Sequence, residues 1–141
     1  MGRSKRAEVN RKDISNQYWL SKNRRKELKY FCLQYNDWAL IKRQIETESD
    51  GRYLVRTGSK DFNDVTAKRA AYLADISTAM ELVERCAKDA GKEWSYYIFV
   101  SVTQDLSWNE EVCKYGIKIE KDIFNTMIDK FYWLLSIRRG V

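Results

Sequence analysis

The chain has 141 residues, 44% hydrophobic and 33% charged, the size and mix of one compact domain rather than two. It contains no histidine, which removes Ser-His-Asp and Cys-His nucleophile systems, histidine-ligated zinc and the commonest general base near neutral pH. The net charge of +6 sits at one end: residues 1–30 hold ten Lys/Arg against three Asp/Glu, whereas residues 31–141 hold 16 against 17.

Proline is absent too, and because proline is the usual helix breaker, an all-α fold is expected. No run of about 18 apolar residues occurs, and the basic N-terminus lacks the apolar stretch of a secretory signal. We therefore expect no membrane insertion and a cytoplasmic protein. Cys32, Cys86 and Cys113 are too far apart for a close zinc-ligand pair or a disulfide framework and read as buried thiols.

Residues 1–20, with Arg3, Lys5, Arg6, Arg11 and Lys12, form a basic, flexible arm, and residues 21–141 a single helical domain. Ser21 is placed to cap a first helix, along which Leu28, Phe31, Tyr35, Trp38 and Ile45 keep the three-and-four spacing of one buried face. A bend is expected near Asn36 and Asp37. That helix also carries a basic cluster, Lys22, Arg24, Arg25, Lys26 and Lys29. Residues 48–63 read as a polar loop with a short extended piece at Tyr53–Val55.

Asn63 or Asp64 caps the next helix, in which Leu73, Ile76, Met80, Val83 and Ala87 step by three and four until Gly91 stops it. Such a stripe is a core or coiled-coil-like seam, open to a homodimer, rather than a cofactor box. Residues 93–104 fit a helix, with two hairpin strands as the alternative, because Tyr96 to Val102 is rich in strand-forming side chains. Ser107-Trp108-Asn109-Glu110 is a capping box that starts a helix at Trp108, and Gly116 ends it after Tyr115. A longer helix, Glu120 to Ile137, follows, with Ile123, Phe124, Met127, Ile128, Phe131, Leu134 and Leu135 on one broad face.

A short helix, a glycine turn and a longer amphipathic helix reproduce a helix-turn-helix, here about residues 93–138, whose second helix reads the DNA major groove with its N-terminal residues. Its outer face would carry Lys121, Asp122, Asn125, Thr126, Asp129 and Lys130. Asn125 suits an adenine edge, and Lys121 or Lys130 a phosphate or guanine. Lys22, Arg24, Arg25 and Lys26 would hold the DNA backbone. Glu120, Asp122 and Asp129 oppose this electrostatically, and the competing reading is an ordinary helical hairpin packed into the core.

Other chemistries find no support. Gly51 and Gly58 are not followed by a phosphate-binding Lys-Ser or Lys-Thr. Glu46, Glu48, Asp50, Glu110 and Glu111 fall where acidic residues are expected without any metal. The aromatics Trp94, Tyr96, Tyr97, Trp108, Tyr132 and Trp133 suit a core or an interface more than base stacking. No catalytic residue, metal or cofactor is expected.

Three stretches, YWLSKNRRKELKYFCLQYNDW, DVTAKRAAYLADISTAMELVERC and FNTMIDKFYWLLSIRRG, together resemble the small regulators of phages and prophages of Gram-positive bacteria known as RinA-like or sigma-region-4-like activators. The resemblance lies in layout and aromatic placement from Tyr18 to Gly140. It implies an all-α bundle with a C-terminal helix-turn-helix, a basic N-terminal arm, double-stranded DNA as the ligand and transcription control inside a bacterial host. Where that family carries arginine or lysine on the terminal helix, this chain has Asn125, Thr126 and Asp129. The second functional reading is a phage protein that grips a host protein, RNA polymerase or a defence factor, and alters its activity.

Overall fold

A computed structural model of the chain describes residues 17–49 and 60–140. Six α-helices occur among them: α1 (Lys22–Leu33), α2 (Tyr35–Ser49), α3 (Lys60–Gly91), α4 (Ser95–Gln104), α5 (Trp108–Tyr115) and α6 (Lys121–Arg139). A 3-10 turn, Lys92–Trp94, joins α3 to α4, and the described residues contain no strand. The fold is an all-α bundle. None of these helices is long and apolar enough to cross a membrane.

Ser21 caps α1 by accepting the Arg24 N–H at 3.2 Å. The expected bend near Asn36 and Asp37 is instead a break at Gln34. Its N–H turns back to the Phe31 carbonyl, three residues away, and its carbonyl accepts the Trp38 N–H that opens α2. The tightened turn lets Phe31 and Trp38, about 10.5 Å apart along a straight helix, meet edge to face. Their ring centroids are 5.0 Å apart.

Of the loop expected over residues 48–63, residues 48–49 belong to α2 and residues 60–63 to α3, and residues 50–59 lie outside the described residues. Neither Asn63 nor Asp64 therefore caps α3. Both lie inside its opening turns. The extended piece expected at Tyr53–Val55 and residues 1–16 of the arm lie outside the described residues. At the other end of the arm, Tyr18 packs edge-on against Trp133 and Leu20 rests on the core, so the folded domain begins before residue 21.

The helix α3 ends at Gly91, as expected, but not through a left-handed glycine. The φ of Gly91 is −107°, and Lys92 takes the positive φ of 49°. What requires glycine is proximity, because a Cβ here would lie 2.8 Å from Ile98 Cγ1. Residues 95–104 are helical despite their strand-forming composition. Burial of Ile98 and Val102 against the bundle outweighs local preference.

The capping box at Ser107 forms in both directions: the Glu110 N–H donates to Ser107 Oγ and the Ser107 N–H to Glu110 Oε1, each at 3.3 Å. Gly116 then takes φ +63°, and a Cβ added there would meet nothing within 4 Å, so the constraint is conformational alone. Gly116→Ala is expected to cost about 1–2 kcal/mol, read as a lowered urea midpoint with an unchanged helical CD spectrum.

The core gathers around α6. Phe124, Phe131 and Leu135 meet Val83, Cys86 and Ala87 of α3, Leu28 and Cys32 of α1, and Ile98 of α4. Burial pushes the Cys32 and Cys86 thiols up, which keeps them neutral and unreactive. The third cysteine differs from expectation: Cys113 is exposed, on the outer side of α5, away from the face that helix buries.

Candidate nucleic-acid interface

Helix α6 is anchored along its length by Phe124, Phe131, Tyr132 and Leu135. Its beginning stands out from the body: Lys121, Asp122, Ile123, Asn125 and Thr126 are all exposed. The four-residue connector before it is held down by buried Ile117 and Ile119 and by the Trp108 indole, which donates to the Ile119 carbonyl at 2.9 Å. A short capped helix thus leads through a left-handed glycine and a fixed connector to an exposed helix start. Asp129 and Lys130, expected on the same outer face, are half-buried. Ile123, expected in the apolar face, lies at its edge and is 48% exposed.

The start of α6 forms a ridge between two depressions. On one side is a groove of about 380 Å³, to which α6 contributes Lys121 and Asn125 and α1 contributes Arg25 and Lys29. On the other is an open cleft of about 760 Å³, where Ile123, Thr126, Met127 and Lys130 face Trp94. Asn125 and Thr126, adjacent in sequence, therefore line different depressions. The Thr126 hydroxyl donates to the Asp122 carbonyl at 2.8 Å, which leaves its oxygen and methyl for an incoming ligand.

Electrostatics differ among the cations that converge here. Arg25 is paired with Asp129 at 2.5 Å and lies over the Tyr132 ring at 5.0 Å. Lys29 reaches Asp105 at 3.1 Å. Lys121 has no ion pair among the described residues, and the same holds for Lys130, Lys22 and Lys26. The uncompensated positive charge of the groove therefore belongs to Lys121.

Arg24 fastens α1 to the end of α6. Its Nε donates to Ser136 Oγ and its Nη2 to the Ser136 carbonyl, both at 3.1 Å, and it also reaches the Gly140 carbonyl. Arg139 returns the contact by pairing with Glu27 at 2.5 Å and covering the Phe31 ring at 4.3 Å. That pairing holds the Glu27 carboxyl below its ordinary value. Arg138 closes the other flank on Asp89 at 2.7 Å. Of the four α1 residues expected to hold the DNA backbone, Arg24 and Arg25 hold α6 in position, while Lys22 and Lys26 stay exposed.

Two residues named in the sequence were not assigned to this site. Lys29 joins the groove because it stands one turn after Arg25, a signal present in the i, i+4 spacing. Trp94 joins the cleft because the 3-10 turn folds it toward α6, and no local pattern announces that. Among the aromatics, Tyr132 is buried, Trp94, Tyr97, Trp108 and Trp133 are half-buried, and Tyr96 is exposed. No group of three metal-ligating side chains exists among the described residues. Compared with protein-family models, curated proteins and solved structures, the chain matches none.

Proposed function

We propose that this chain binds duplex DNA through the first turns of α6 and acts as a transcriptional regulator of the phage type, without catalysis or cofactor. The observation that carries the reading is the exposed start of α6, with unpaired Lys121 beside Asn125, reached through a capped short helix and a left-handed Gly116. An amide on a helix facing the major groove matches the paired donor and acceptor of an adenine edge. Lys121 and, on the opposite flank, Thr126 and Lys130 supply phosphate or guanine contacts. Lys22 and Lys26 extend the positive surface along α1. Arg24 and Arg25 act through α6 as positioning residues, since their charges are already engaged within the bundle.

Binding to a labelled duplex should weaken steeply with salt, and Lys121→Ala should reduce the slope of log K against log salt by about 1. Asn125→Ala should cost about 1–3 kcal/mol of discrimination at one base pair. Arg25→Ala should instead lower folding stability and weaken all duplexes alike. Salt-independent binding, or equal loss on every sequence for Asn125→Ala, would contradict the reading.

The open cleft favours a second reading. An apolar depression of about 760 Å³ with Ile123 48% exposed is a suitable seat for a host protein's side chains. Capture of one stoichiometric protein from nuclease-treated host lysate, lost on Ile123→Asp, would favour that reading over DNA.

A further inference from the structure

The seam of α3 does not end where the bundle ends. Positions 65, 72, 79 and 86 recur every seven residues, so they lie along one line of the helix. Along that line Cys86 is fully buried, Ala79 half-buried, and Tyr72 and Val65 are 49% and 44% exposed. Lys68 and Asp75, also exposed, flank the line on one side, and neither has an ion pair among the described residues. Apolar spacing that packs a core at one end and faces solvent at the other lacks a partner there.

We propose that this end of α3 is a dimerisation surface and that its occupant is α3 of a second copy, running antiparallel. Charge selects both the occupant and the direction. Residues 64–79 carry two basic and two acidic side chains, Lys68 and Arg69 against Asp64 and Asp75, which suits a copy of itself and not a polyanion. An antiparallel pair with its two-fold axis beside Tyr72 sets Lys68 of each copy opposite Asp75 of the other, twice over, with the two Tyr72 rings between them. A parallel pair in register would instead carry this flank to opposite sides of the seam in the two copies, where Lys68 and Asp75 do not meet. Val65 lies about 39 Å along the helix from Gly91, at the cleft beside α6. The surface is thus separate from the α6 ridge, and the inference stands or falls independently of DNA binding.

Sedimentation equilibrium on the full chain tests it. The wild type should show a concentration-dependent monomer–dimer equilibrium. Lys68→Asp and Asp75→Lys, each creating two like-charge contacts, should weaken it about tenfold or more. An equimolar mixture of the two variants, and the double variant Lys68→Asp/Asp75→Lys, should recover association, because opposite charges then face each other again. The helical CD spectrum guards against loss of fold. A wild type that stays monomeric at the highest concentration, single variants that associate like the wild type, or a mixture and double variant that both fail to recover would each overturn the proposal.

Discussion

Replacing Glu111 with glutamine is expected to leave stability nearly unchanged at pH 4 and to raise it by about 2–3 kcal/mol at pH 8. Glu111 has no exposed surface, and neither carboxylate oxygen has a hydrogen-bond partner among the described residues. Burial disfavours the charged form and pushes the carboxyl up to about 7 from its ordinary 4.5. The folded state therefore holds this proton more tightly than the unfolded chain does. Below about pH 4.5 both states are protonated and nothing is lost. As pH rises through 7 the folded state must either ionise a buried group or open, and stability falls across that window. Glutamine cannot ionise, so the variant lacks this fall. Urea denaturation of both proteins between pH 4 and 8 checks it, and a difference in stability that stays constant with pH would count against the account.

Phe131→Ala is expected to cost about 3–5 kcal/mol, a large share of the roughly 5–15 kcal/mol that holds a domain of ordinary stability. Phe131 is fully buried at the middle of α6, edge to face with Tyr132 at a centroid distance of 5.1 Å. The ring belongs to the cluster that joins α1, α3, α4 and α6, and removing it leaves a cavity bounded by several elements at once. Unfolding should remain a single transition with a lower midpoint. A loss under about 1 kcal/mol would mean that α6 is not the centre of the bundle.

The helices with strong periodicity were legible in the sequence because the spacing of Ile76, Val83 and Ala87, or of Phe124, Phe131 and Leu135, is the packing itself. The start at Trp108 and the stop at Gly116 were legible because a capping box and a left-handed glycine are local chemistry. The break at Gln34 was not, since no glycine or proline marks it and it arises from docking on either side. The role of Gly91 was hidden for a similar reason: its neighbour Ile98 is set by the turn that follows. At the candidate interface, periodicity identified Lys121, Asn125 and Thr126 as outward-facing. It could not separate Arg24 and Arg25, which bind α6, from Lys22 and Lys26, which do not, because their partners Ser136 and Asp129 lie more than a hundred residues away.

That division of labour bears on the function proposed. Two arginines, Arg24 and Arg25, together with Arg138 and Arg139, hold α6 against α1 and α3, so its exposed first turns are carried on a fixed support. A helix held this way presents Lys121 and Asn125 at a set distance from Lys22 and Lys26, which is what reading bases while gripping a backbone requires. In the proposed complex Glu120 and Asp122 would oppose the phosphates and leave the approach to the lysines.

Selection from a pool of duplexes with a randomised core, using the full chain and then its Lys121→Ala/Asn125→Ala variant, probes this most directly. The wild type should enrich a defined sequence, with binding that falls as salt rises, and the variant should retain weak binding while enriching none. Absence of any retained duplex at low salt, or the same sequence enriched by both proteins, would contradict recognition through the start of α6.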